Sequence, residues 1–374
     1  MSEKSRPDND NFPKYRRVLD SAITDTFRQA TRLIRDDPRL LVPAMALLRD
    51  QKNAEKIRKN HEQNGLLVPP VFIISITSRC NLSCAGCYMR RRNAQPVPDM
   101  SETTLASVVS QGENLGVSVM VLAGGEPLMR KDEIISLAMD HPRILFPVFT
   151  NGLLIDAPTA ASLAKCKNIV PVISFEGLRD ETDARRGTGV YDRLRATCDG
   201  LKDAGIFFGC SLTVTRKNVG LVTRDDFIRE MTAAGARAFV FVEYVPVEPG
   251  TENLVLSPDQ HEELNAGIAA LPKKFPALFI GFPGNDDDYG GCLAAGRGFV
   301  HISPSGNLEP CPASPFSDAN LSQTSLEDAL RSPLFEKIRT NPALLTESEG
   351  GCALRAHSGW LADIVAGQKK HGAP

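Results

Sequence analysis

Beyond Pro69 and Pro70 the chain alternates short β-branched apolar runs with stretches of helical periodicity. The apolar runs are Val71 to Thr77, Val117 to Leu122, Ile144 to Phe149, Ile169 to Phe175, Ile206 to Thr213 and Phe239 to Tyr244, and helices are expected from near Ser101 and after Asp156. Strand followed by helix, six times over, predicts an α/β fold with a parallel sheet and right-handed crossovers. Six units close only part of a circle, so the expected architecture is a partial (β/α)6 TIM-like barrel, with its chemistry at the C-terminal ends of the strands.

The pattern differs on either side of this region. Residues 1–13 read as a polar tail, and Lys14 to about Asn60 as helical, with Ile23, Phe27, Ala30, Leu33 and Ile34 at three- and four-residue spacing and Pro38 and Pro43 as dividers. After Pro249 the repeats are expected to stop. Ser257-Pro258-Asp259-Gln260 has the form of an N-cap with a capping-box partner, so a helix should run to about Leu271, followed by the apolar run Ala277 to Phe282. Two short strands, Phe299 to Ile302 and Asn307 to Glu309, are joined by Pro304-Ser305-Gly306, with a helical stretch from Ser325 to Arg339 beyond them. The expected division is a helical extension over 1–68, the partial barrel over 69–255, a linker helix and strand over 256–290, and a small C-terminal α+β unit over 291–374.

Composition narrows the functional classes. With 42% hydrophobic and 24% charged residues among 374, the chain is an ordinary globular protein, and its net charge of -2 gives no basic field for nucleic acid. The helical extension is locally basic, with 12 Lys and Arg against 6 Asp and Glu. It is expected to cap the barrel, the sharper alternative being contact with a membrane surface or an anionic partner. No apolar run approaches the roughly 18–20 residues of a membrane span, and the first residues lack a secretory pattern. A cytoplasmic location is expected, and nine cysteines, six of them in two sets of three, suit a reducing compartment better than a disulfide framework.

Three of those thiols crowd into one loop. Cys80, Cys84 and Cys87 stand in a Cys-x3-Cys-x2-Cys spacing directly after the first strand. Three thiolates on a short irregular loop can hold three corners of a 4Fe-4S cluster and leave one iron open. Zinc would want a fourth ligand, absent from the loop, and a disulfide would leave one thiol over. The loop resembles the signature of the radical S-adenosylmethionine (SAM) superfamily, in the variant with an aromatic residue, here Tyr88, after the last cysteine. The resemblance implies that S-adenosylmethionine chelates the open iron and is cleaved to a 5'-deoxyadenosyl radical, with a flavodoxin or ferredoxin-type protein as electron donor. Arg90, Arg91 and Arg92 could guide such a donor, a solvated face being the plainer explanation.

Other strand ends fit the same resemblance. Gly124-Gly125-Glu126-Pro127 follows the second strand, where glycines permit close backbone approach and a carboxylate can meet an ammonium group. It matches the family's Gly-Gly-Glu-Pro motif, which binds the methionine amino group. Asn151 ends the third strand. On the fourth, Ser174 and Glu176 alternate onto one face within reach of ribose hydroxyls or the methionine moiety, although many relatives have Asp where Glu176 stands. Arg185 or Arg186 is expected to pair with the cofactor carboxylate or to be solvated. Thr213 and Thr215 lie on and after the fifth strand, and Val245-Pro246 matches positions that line the adenine pocket in relatives.

A second set, Cys292, Cys311 and Cys352, with Gly306 five residues before Cys311, resembles the SPASM and twitch extensions of the same superfamily. Their intermediate Cys-x2-Cys-x5-Cys group is absent, which implies one auxiliary 4Fe-4S cluster with three cysteine ligands. Its fourth position would be open to substrate or filled by Glu349, His357 or a nearby Asp. Cys166, Cys198 and Cys210 are expected to be buried core residues. The glycine-rich acidic loop Gly284 to Asp288 is expected to turn in water. The expected function is hydrogen abstraction from a small metabolite or cofactor precursor. Peptide modification is the alternative, and an iron–sulfur electron carrier or redox sensor is the non-enzymatic rival.

Overall fold

A computed structural model describes residues 19, 21, 23, 26, 29, 33, 41–92, 97–282, 284, 289–346 and 352–371. The tail 1–13, the stretch with Phe27, Ala30, Ile34 and Pro38, the acidic residues Asp286 to Asp288, and Glu349 lie outside them.

The six expected strands form, as β1 Val71–Thr77, β2 Val119–Gly124, β3 Phe146–Thr150, β4 Ile169–Phe175, β5 Gly209–Val214 and β6 Ala238–Glu243. Each pairs in parallel with the next, and helices such as Glu102–Asn114, Lys131–Asp140 and Val190–Asp203 make the crossovers. Local chemistry fixes where the helices begin: Ser101 accepts from Thr104 N, Asp156 from Thr159 N, and Ser257 and Gln260 form a reciprocal capping box.

The sheet continues past the sixth unit. The run expected in the linker forms β7 (Leu278–Phe282), which pairs in parallel with β6 after the helix Pro258–Ala270. The Pro249-Gly250 turn hides this seventh unit in the sequence, because it interrupts the spacing of the repeats. At the opposite edge β8 (Phe299–Ile302) lies parallel to β1, and β9 (Leu308–Glu309) closes an antiparallel hairpin on it. The order is β7-β6-β5-β4-β3-β2-β1-β8-β9, one curled sheet that joins the barrel to the C-terminal hairpin.

Pro43 does not divide the N-terminal helical region: it falls in the first turn of the helix Leu41–Gln63, where no intrahelical N–H is needed. This helix packs on the barrel. Arg58 is buried and donates to Gly116 O at 2.6 Å, and Gln51 accepts from Ser118 Oγ at 2.7 Å. Among the described residues no helix is long and apolar enough to cross a membrane.

Candidate active site

The cysteine loop leaves β1 at Thr77 and is tied down at both ends. Asp99 accepts from Thr77 Oγ1 (2.6 Å) and Ser78 N (2.9 Å). Gly125 N donates to Thr77 O and Glu126 N to Arg79 O, each at 2.8 Å. A Cβ on Gly124 would lie 2.4 Å from Thr77 O, and one on Gly125 2.0 Å from Arg79 O. The two glycines thus let the turn after β2 seat against the entry of the cysteine loop, a use of close approach internal to the chain. At the far end, Ala85 N donates to Arg185 O and Arg185 Nε to Ala85 O. Gly86 has φ +64 and lies under Tyr244, whose hydroxyl is 2.8 Å from where a Cβ would stand.

The three thiols are thereby grouped. Cys80 is exposed at the strand tips, and Cys84 and Cys87 are half-buried. Loss of solvation raises the thiols of Cys80 and Cys84 above their ordinary value. Neighbouring thiols raise them further, and Arg186 and Arg185 oppose this at Cys84. Such a set gains most from a cation that stabilises all three thiolates together. A single zinc would want four such side chains on one metal ion. A cubane cluster instead takes one thiolate per iron, and the donor set fits it.

Beside the loop, Glu126 is fully buried. Its carboxylate accepts from Thr150 Oγ1 (2.7 Å), Asn151 N (2.8 Å) and Leu128 N (3.0 Å), and burial nonetheless holds the carboxyl above its ordinary value. Pro127 follows it into a short 3-10 turn. Asn151 donates to Asn81 Oδ1 at 2.7 Å, which joins the tip of β3 to the cysteine loop.

The end of β4 carries a second polar cluster. Glu176 Oε1 accepts from Arg185 Nη1 (2.6 Å), Arg186 Nε (2.9 Å) and Arg186 Nη2 (2.6 Å), and Oε2 is buried with no partner among the described residues. Burial alone would lower Arg185, but Glu176 outweighs it and holds the guanidinium above its usual value. Arg185 Nη1 also reaches Thr213 Oγ1 at 2.7 Å. Ser174, Val245 and Tyr88 are half-buried near the strand tips.

Three contributors escaped the sequence reading. Asp99 comes from a loop 22 residues past Thr77, with no pattern to mark it. Asn218, buried, donates to Glu176 O and Thr213 O and accepts from Thr215 N; its spacing after β5 is the one available signal. Tyr244 was read only as the end of a strand.

The second thiol set also gathers. Cys311 is raised well above its ordinary value by burial, then by Cys352 and Cys292 nearby. Ala295 N donates to Pro310 O at 3.1 Å, binding the Cys292 turn to the Cys311 segment, and Cys292 N donates to Leu345 O at 2.7 Å. Ala313 N donates to Cys311 Sγ at 3.2 Å. His357 caps the short helix Ala353–Ala356 that Cys352 opens. Cys166, Cys198 and Cys210 are core residues, as expected, and burial raises Cys198 to about 12.

A loop with three free thiols thus leaves the first strand of a curled parallel sheet. Residues 74–232 match the family model described as the Radical SAM superfamily, so this part of the barrel is a radical SAM domain. The Fe-coproporphyrin III synthase of Methanosarcina barkeri (strain Fusaro / DSM 804) is 28% identical over 175 residues, which span 46% of this chain and 44% of that protein. The PqqA peptide cyclase of Gluconobacter oxydans (strain 621H) is 26% identical over 286 residues, 72% of this chain and 79% of that protein. The crystal structure of Streptococcus suis SuiB bound to precursor peptide SuiA shares the fold, with TM-score 0.61 and 20% identity over 77% of this chain and 71% of that one.

Proposed function

We propose that Cys80, Cys84 and Cys87 hold a 4Fe-4S cluster and that the strand tips beside it bind S-adenosylmethionine. When bound, these groups supply a 5'-deoxyadenosyl radical that takes a hydrogen atom from the substrate. The observation that carries this reading is the Oε2 of Glu176, buried beside the cysteine loop without a partner among the described residues. A buried carboxylate oxygen without a donor is costly, and a ribose hydroxyl or ammonium group of the cofactor would satisfy it. Arg185 and Arg186 grip this carboxylate and aim it, with Thr213 and Asn218 fixing the arginine and the strand end. Ser174 adds a hydroxyl on the same strand, and Val245 an apolar wall for the adenine.

Glu126 acts through the backbone. With three donors on its carboxylate it fixes the peptide groups of Leu128 and Asn151 beside the position where the methionine amino group would sit.

Cys292, Cys311 and Cys352 hold an auxiliary 4Fe-4S cluster in this reading, placed to accept an electron from the substrate or to bind it. An electron reaches the barrel cluster from a flavodoxin or ferredoxin-type donor. The substrate is a small cofactor precursor, supported by the match to the Fe-coproporphyrin III synthase. A second reading, a peptide, is favoured by the length of the match to the PqqA peptide cyclase.

Anaerobic incubation of the reconstituted protein with dithionite and S-adenosylmethionine tests the core of this reading. 5'-Deoxyadenosine and methionine are expected, and their absence with an intact cluster would favour an electron carrier. Deuterium transfer into 5'-deoxyadenosine from a deuterated tetrapyrrole precursor of Fe-coproporphyrin III, or from a labelled peptide encoded beside the gene, separates the two substrate classes.

A further inference from the structure

A buried polar chain crosses from the first strand of the barrel into the C-terminal hairpin, and the reading above leaves it unused. Ser75 Oγ lies 2.8 Å from His301 Nε2, and His301 Nδ1 lies 2.7 Å from Glu309 Oε2. Their exposures are 0%, 0% and 2%. With Nδ1 donating to the Glu309 carboxyl oxygen, Nε2 is left to accept from the Ser75 hydroxyl, so one arrangement of protons satisfies both contacts. The order is that of a hydrolase triad, but a fully buried Ser75 offers no path for an acyl group.

Its location suggests another use. His301 pairs in register with Ile73 of β1 on one side and with Glu309 of β9 on the other. Ser78, where the cysteine loop of the barrel begins, lies three residues past Ser75, and only Pro310 separates Glu309 from Cys311. The hairpin has two paired positions, a weak determinant of register. A slip of one residue would turn His301 to the other face and break both bonds, so the polar chain admits one register where an apolar trio would tolerate several.

We propose that His301 is a positioning residue for the auxiliary centre: held between Ser75 and Glu309, it fixes the register at which β9 presents Cys311 to the barrel. This rests on the auxiliary-cluster reading of Cys292, Cys311 and Cys352. Cluster potentials depend on N–H···S bonds and solvent exposure. The Ala313 N–H to Cys311 Sγ contact and the Ala295 N–H to Pro310 O bond both depend on where β9 ends.

The test uses the full chain carrying Cys80→Ala, Cys84→Ala and Cys87→Ala, reconstituted with iron and sulfide, so that the second thiol set alone is read. Adding Glu309→Leu should leave the iron content near that of this parent. It should also alter the electron paramagnetic resonance spectrum of the reduced protein and shift the reduced-to-oxidised ratio at fixed potential about tenfold, about 59 mV for a one-electron couple. Glu309→Gln, whose amide oxygen still accepts from Nδ1, should restore the parent's spectrum and ratio. Should Glu309→Leu fail to fold, Ser75→Ala removes one hydroxyl and should move both readouts in the same direction by less. Parent-like spectrum and ratio in the Leu variant, or in the Ser75 variant where it replaces it, overturn the positioning role alone. A parent that takes up no iron overturns the auxiliary cluster and this proposal with it.

Discussion

Arg186 grips one oxygen of Glu176 through Nε and Nη2, at 2.9 and 2.6 Å, and leaves the other oxygen buried without a partner among the described residues. That asymmetry separates the structural role of the carboxylate from its ligand role. Glu176→Gln keeps the shape but loses an anionic acceptor, and S-adenosylmethionine should bind about tenfold more weakly, about 1.4 kcal/mol, by equilibrium dialysis on the reconstituted protein. Glu176→Ala leaves two half-buried guanidinium groups without their carboxylate and should lower apo-protein stability by about 1–3 kcal/mol in denaturant titration. Unchanged cofactor affinity in the Gln variant would remove Glu176 from the site.

Gly125 has no room for a side chain, because a Cβ would stand 2.0 Å from Arg79 O, a backbone atom that cannot swing away. Gly125→Ala must push the entry of the cysteine loop off β1. In a chain whose second thiol set is replaced by alanine, this variant should take up far less iron than its parent while keeping its far-ultraviolet circular dichroism. Gly200→Ala is the control. It lies within the helix Val190–Asp203 with nothing near its Cβ position, and it should stabilise by up to about 1 kcal/mol.

Short-range chemistry explains what the sequence made legible. Cys80, Cys84 and Cys87 share one loop, Gly124 to Pro127 one turn, and Ser174 and Glu176 one strand end, so spacing alone groups them. Contacts that close over long separations left no such trace. Asp99 reaches Thr77 across a loop, and β8 finds β1 from more than 200 residues away along the chain. β7 is a half-buried edge strand without alternation, which made it read as a linker. The polarity of His301 and Glu309 in a short hairpin became informative only once Ser75 stood beside them.

Glu126 gives a pH signature. Its carboxyl is raised in the folded protein, chiefly by burial, against the three hydrogen bonds that pull it down. The folded state therefore holds this proton more tightly than the unfolded chain. Its contribution to stability is full below the unfolded value, about 4.3, and is lost as pH rises through the raised folded value. Metal-free wild type should lose melting temperature relative to Glu126→Gln as pH climbs from about 4 toward neutrality. A gap between the two proteins that stays constant with pH would mean that Glu126 titrates as in an open chain.

Cys292, Cys311 and Cys352 come from three segments, and backbone bonds tie the first to the second, Ala295 to Pro310, and to Leu345 ahead of the third. Mutual proximity of the thiols raises Cys311 beyond what burial alone would do, a penalty that ligation to iron removes. Replacing all three by alanine should therefore take the reconstituted chain from about eight irons to about four, one 4Fe-4S cluster fewer. The same variant should still cleave S-adenosylmethionine reductively without substrate, since its barrel thiols are intact, and should lose turnover of the substrate. Iron content unchanged by the triple replacement would show that these thiols hold no cluster, and loss of both clusters would show that the C-terminal hairpin, which extends the sheet at β1, is needed to form the barrel site itself.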